Sequence, residues 1–72
     1  MYTQEQFDAE FKMNDLHEIA KTYERDGVPD RPARREAYNN KIDAYHREGL
    51  IDEEAVENWC ISDSLETTLY WL

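Results

Sequence analysis

His17, His46 and Cys60 are the side chains of this chain best suited to nucleophilic or metal chemistry near neutral pH. None stands at a spacing that such chemistry uses. The sequence has no Cys-x-x-Cys or His-Glu-x-x-His ligand pair, no glycine-rich phosphate loop and no nucleophile elbow. A cysteine–histidine pair would need the fold to bring distant residues together. Carboxylates abound, and Glu53 and Glu57 are spaced as one helix face would place an acid/base pair. Such work requires one member to be tuned by burial, and nothing in the pattern around these two suggests it. The expectation is a non-enzymatic protein with no catalytic residue, metal or cofactor. Its histidines should lie on the surface, and Cys60 should pack as a small apolar group.

Residues suited to binding are more prominent. From Ile51 to Leu72 there are six acids (Asp52, Glu53, Glu54, Glu57, Asp63 and Glu66) and no lysine or arginine. Asp52, Glu53 and Glu54 complement the dipole of a helix starting there, which accounts for three of them. Surfaces usually mix both signs of charge, so the remainder invites a functional cause. Acids spaced along helices can set carboxylates where a nucleic-acid-binding groove expects phosphates. The stretch ends in Leu69, Tyr70, Trp71 and Leu72, which must either dock on the core or bury in a partner. Tryptophan and tyrosine are favoured interface anchors. The expected partner-binding set is therefore Glu53, Glu54, Glu57, Asp63, Glu66, Tyr70 and Trp71.

A second constellation is basic. Arg31, Arg34 and Arg35 crowd the first turns of a helix, where its partial positive charge disfavours them, and their angles bring them close to Tyr38. Something acidic should sit beside them. One reading is structural: an internal ion-pair network with the acidic C-terminal segment, or arginine stems lying over the core edge with their heads in water. The other is an arginine–tyrosine patch for an acidic partner or a phosphate backbone.

The elements that position these residues are helical. Thr3-Gln4-Glu5-Gln6 has the form of a capping box. Phe7 and Phe11 share a helix face, whereas Leu16, Ile19, Ala20 and Tyr23 form a stripe well over ~90° further round. This predicts a break near Met13-Asn14, with Asp15 and Glu18 capping the second piece; the alternative is one helix with two buried faces. Gly27, Pro29 and Pro32 separate this segment from a helix over about 31–48, with Asp30 as N-cap and Tyr38, Ile42 and Tyr45 in one stripe. Ala33, Ala37 and Ala44 form an adjacent stripe that allows close approach. Gly49 closes this helix, with Leu50 placed to touch Tyr45. Asp52 then caps a fourth piece, with Ile51 and Val56 at the spacing of a hydrophobic staple. Asp63 with Glu66 would cap a last helical turn, although Thr67 to Trp71 also has strand propensity. The expected core is Phe7, Phe11, Leu16, Ile19, Tyr23, Tyr38, Ile42, Tyr45, Val56, Trp59 and Leu65.

Residues 1–72 should therefore form one all-α domain: a three- to four-helix bundle with a short C-terminal helical or extended element. A net charge of −9, from 17 acids and 8 bases, opposes direct binding of nucleic acid and of anionic membranes. No apolar stretch approaches the ~20 residues of a membrane span. A single cysteine and the lack of a signal-peptide pattern give the expectation of a cytoplasmic protein. In size, acidity and simple architecture the chain is similar to small phage and mobile-element proteins that block host defence or transcription enzymes, a similarity of class that rests on no motif. It implies an inhibitor or modulator that binds a basic, nucleic-acid-binding host protein as a DNA mimic, in the host cytoplasm if phage-encoded. Two alternatives are an assembly adaptor working as a helical homodimer and a helix-turn-helix-like reader of nucleic acid using Arg31 to Tyr38.

Overall fold

Thr3 opens the first helix through the capping box that its sequence predicts. Its hydroxyl accepts from the Gln6 amide (3.2 Å), and the Gln6 side chain accepts from the Thr3 amide (3.0 Å). In this computed structural model, which describes residues 1–69, the elements are α1 (Gln4–Glu10), a π-helical segment (Phe11–Asp15), α2 (Leu16–Tyr23), α3 (Arg31–Arg47), α4 (Glu53–Asn58) and α5 (Asp63–Thr67). The fold is all-α, as expected, with no strand among the described residues. The tail is helical as far as Thr67. Tyr70, Trp71 and Leu72 lie outside the described residues.

The predicted break near Met13-Asn14 is a π-helical segment in a helix that otherwise continues. At 100° per residue, five steps from Phe11 to Leu16 turn the chain about 140° past a full circle, so the two stripes would face apart. Here the Leu16 amide bonds to the Phe11 carbonyl, five residues back. Such a bond closes roughly one turn over five residues and brings the stripes back into register. Phe7, Phe11, Leu16 and Ile19 all end in one core as a result. Asp15 is not a cap. It keeps helical backbone angles, makes no capping bond, and instead faces Lys41 Nζ at 3.4 Å.

Phe7, fully buried, is the aromatic centre, with Tyr38, Tyr45 and Trp59 at centroid distances of 5.0, 5.3 and 5.4 Å. The pairs with Tyr38 and Tyr45 are edge-to-face, a geometry that adds to what area burial supplies. Lys41 lies over the Tyr45 ring at 4.7 Å, with Glu10 and Asp15 around its ammonium. The hydroxyl of Tyr38 donates to Asp8 and that of Tyr45 to Glu10. The Glu10 bond, with burial added, raises the Tyr45 pKa to about 12. α3 runs as expected from its Asp30 cap to the Gly49 closure, where the Leu50 amide reaches the Tyr45 carbonyl at 2.9 Å and Gly49 takes φ +76°.

Four further expectations need correction. Tyr23 is 64% exposed, because α2 ends there and α3 offers no large apolar side chain opposite it, only Pro32, Ala33 and Ala37 beside polar residues. Cys60 is exposed rather than packed. α4 stops at Asn58 and Trp59 is extended, so Cys60 lies beyond the helix and is not carried on the side of it that faces the core. Tyr45, Val56 and Trp59 pack against the rim of the core rather than inside it. Finally, Ser62 and not Asp63 caps α5, its hydroxyl accepting from the Leu65 amide. The core also takes in Ala20, Ile51 and Ala55, together with two charged residues, Glu24 and Arg34.

Arg34 is the arginine that the helix start did not favour, and it is fully buried. Its Nε and Nη2 form a fork on the Glu24 carboxylate at 2.9 and 2.7 Å. Its Nη1 donates to the carbonyls of Leu65 (3.1 Å) and Thr68 (2.8 Å) at the end of α5. Glu24 also accepts the Asp30 amide at 2.9 Å. Burial raises the Glu24 pKa, but the Arg34 fork and the Asp30 amide together outweigh it and leave the carboxyl below its usual range.

Two outcomes follow. Removing Asn14, an exposed residue of the π segment, should convert it to regular α-helix without rotating the core faces. Circular dichroism and urea unfolding should show an intact fold, whereas the same deletion within α3 should abolish it. Arg34→Ala should cost about 3–5 kcal/mol in urea unfolding, since it strands a buried carboxylate. Glu24 has a lowered folded pKa, so its contribution is present above its unfolded pKa of about 4.3 and is lost as pH falls through the folded value. Between about pH 5 and 3, stability should therefore drop more steeply in the native chain than in Glu24→Gln.

Candidate partner-binding surface

α4 begins where Asp52 accepts the Ala55 amide at 3.0 Å, and it turns Ala55 into the core while Val56 packs against the core edge. The opposite side carries Glu53, Glu54 and Glu57, all exposed. Asp63, in the first turn of α5, is exposed as well. None of Asp52, Glu53, Glu54, Glu57 and Asp63 joins an ion pair among the described residues. Five uncompensated carboxylates thus stand on the outside of the segment that the sequence singles out.

Glu66 does not belong with them. It is 6% exposed, and its Oε1 takes Arg31 Nε at 2.6 Å and Arg35 Nε at 3.5 Å. The cause is its place on α5 next to Leu65, on the side that packs against α3. Glu66 is therefore the acid that the crowded arginines require, and it anchors α5. The two other expected anchors, Tyr70 and Trp71, lie outside the described residues.

The basic constellation resolves in the same way. Arg31 and Arg35 are about half exposed and reach over to Glu66; Arg34 and Tyr38 are buried. Of the four residues named for an arginine–tyrosine patch or a nucleic-acid reader, Arg34 and Tyr38 are thus turned into the core, and Arg31 and Arg35 alone reach the surface. The internal-network reading describes the arrangement, with one partner that sequence spacing missed. Glu24 comes from the end of α2, and only the long-range packing of α2 on α3 brings it to Arg34. His17 and His46 are exposed, on α2 and α3 respectively, and no metal-holding cluster of histidine, cysteine and carboxylate exists among the described residues.

This pairing leaves the net charge at −9 but takes up half of the bases. Arg31, Arg34, Arg35 and Lys41 are held by Glu10, Asp15, Glu24 and Glu66. Of 17 acids and 8 bases, four of each are paired among the described residues, two of these bases (Arg31 and Arg35) remaining half exposed. Three of the exposed acids have local work: Asp52 caps α4, and Glu53 and Glu54 sit in its first turn. Asp63 sits likewise at the start of α5. Glu57 has no such role. It lies in the last turn of α4, where the dipole disfavours an acid and no base accompanies it.

No protein-family model matches this chain, and neither a characterised protein nor a solved structure is detectably similar to it. No helix among the described residues is long and apolar enough to cross a membrane.

The two classes of acid should separate by stability. Glu66→Ala should cost about 1 kcal/mol or somewhat more in chemical denaturation, the gain from its half-exposed arginine partners being reduced by solvent. Glu57→Ala should change stability by no more than about 0.5 kcal/mol.

Proposed function

We propose that this protein is a non-enzymatic binding protein whose acidic face engages the basic, nucleic-acid-binding surface of another protein, competing there with the nucleic acid. One observation carries the reading: Asp52, Glu53, Glu54, Glu57 and Asp63 are all exposed and have no ion-pair partner among the described residues, while half of the chain's bases are paired with other acids. In such a mode the uncompensated carboxylates steer encounter with a positive surface and suppress association with negative ones. Inhibition by occupying a phosphate-binding groove needs no catalytic group, and the reading assigns none. The small phage and mobile-element proteins of similar size and acidity remain the class analogy for such an inhibitor, acting in a host cytoplasm.

Glu57 gives the sharpest test, because its structural and binding roles predict opposite signs. Lysine suits the last turn of a helix, so Glu57→Lys should hold or slightly raise stability. Binding should weaken. In a pull-down from native-host extract with mass-spectrometric identification, the captured protein should be basic and displaced by duplex DNA. The variant Glu53→Lys/Glu54→Lys/Glu57→Lys should lose most of the affinity, and Glu57→Lys alone part of it. Unchanged affinity and salt dependence in both variants would sink the mimicry. A stable dimer in sedimentation, with no basic partner captured, would favour the adaptor reading.

A further inference from the structure

The apolar stripe of α2 runs one turn further than the core does. Leu16, Ile19 and Ala20 are buried, but Tyr23, next on the same stripe, is left 64% exposed. It stands at the rim of an open groove of about 400 Å³ between α2 and the start of α3. Ile19 and Tyr23 form one wall, and Pro32, Ala33 and Ala37 form the other. The groove lies where α3 presents alanines and α2 presents large side chains. Its size lies within the ~300–1,000 Å³ range of ligand-sized clefts.

The charged groups lining the groove are of one sign. Asp30 and Glu36 contribute carboxylates and no base lines it. Lys21 and Arg25 line a separate depression with Asp26 and Gly27. An exposed aromatic ring, apolar walls and two carboxylates make a combination that suits a cationic side chain with an apolar stem. An arginine can lay its methylenes along Pro32 and Ala33, set its guanidinium against the Tyr23 ring and pair with Glu36. A second copy of this chain is a poor occupant, since two bodies of charge −9 repel.

We propose that the α2–α3 groove is a docking site for an arginine-bearing, apolar-anchored peptide segment of a partner protein. The site is separate from the acidic face of α4 and does not depend on that face being a DNA mimic. Charge complementarity and the stranded end of the α2 stripe select the occupant.

The test is an NMR titration of the ¹⁵N-labelled full chain with the capped peptide Ac-Leu-Arg-Trp-Leu-Arg-NH₂. Amide shifts should move around Ile19, Tyr23, Ala33 and Ala37 and saturate. Tyr23→Ala should weaken binding about tenfold, as loss of a central aromatic anchor does. Glu36→Lys should weaken it as well, and supplies the answer if Tyr23→Ala fails to fold. Peptides with glutamate for arginine, or glycine for leucine and tryptophan, should not saturate the site. The proposal is overturned by an absence of shifts, by shifts centred on Glu53 to Asn58, by indifference to both variants, or by the same shifts on concentrating the protein alone. Reversing Glu53, Glu54 and Glu57 should leave peptide binding to the groove intact, so failure of either reading is visible without the other.

Discussion

The fold depends on the satisfied burial of one guanidinium. Arg34 joins the end of α2 through Glu24, the end of α5 through the carbonyls of Leu65 and Thr68, and its own helix. Glu24 extends the link to the α2–α3 connection through the Asp30 amide, and the Asp30 side chain caps α3. An isolated buried charge would be very costly. Here the donors of Arg34 meet two carboxylate oxygens and two carbonyls, and no buried side-chain polar atom among the described residues is left without a partner. α5 shows the consequence most directly. Five residues cannot sustain a helix alone in water. It forms because Ser62 caps one end, Arg34 takes carbonyls at the other, and Leu65 and Glu66 are drawn inward.

The same network sorts the charges. A chain with 17 acids and 8 bases could have spread its bases over the surface to relieve repulsion. Two of them instead sit against acids in the packed layers, Arg34 completely and Lys41 nearly so, while Arg31 and Arg35 stay half exposed and reach Glu66 at the surface. Lys41 adds its ammonium to the Tyr45 and Phe7 rings. The result is a core held partly by ion pairs and an exterior that keeps the net charge of −9 with fewer free bases among its acids. Internal stability and external field are thus two effects of one distribution of bases.

Much of the fold was legible in the sequence because its signals are local. The Thr3 capping box, the Asp30 and Asp52 caps, the Gly49 closure and the stripes of α3 each depend on residues within about a turn or two. The offset of the Phe7–Phe11 face from the Leu16–Ile19 face announced an irregularity at the right place. A π segment was not foreseen, because angular arithmetic at a fixed 100° cannot show that an extra residue realigns two faces rather than parting them. The site was less legible. Whether an acid faces out or in is decided by partners distant in sequence. Glu24 and Glu66 read like their neighbours yet are buried, since α2 and α5 both pack against the arginines of α3. A signal was present for Glu66: it stands beside Leu65, whose apolar side chain draws α5 inward. For Glu24, which follows the stripe of α2 among polar residues, sequence spacing offered nothing.

Sorting the acids by their local duties narrows the case for a binding face. A negative charge in the first turn of a helix is favourable on its own account, so Asp52, Glu53, Glu54 and Asp63 are compatible with a chain that binds nothing. Glu57 is not explained in that way. It adds to the repulsion of Glu53 and Glu54 from the wrong end of the same short helix, with no base to answer it. A positive surface laid against α4 would relieve that repulsion and reward all three carboxylates together. It would also leave the packing of Ala55 and Val56 beneath them undisturbed. The mechanism therefore asks for no rearrangement of the fold: the side of α4 that builds the core and the side that would meet a partner share no residue.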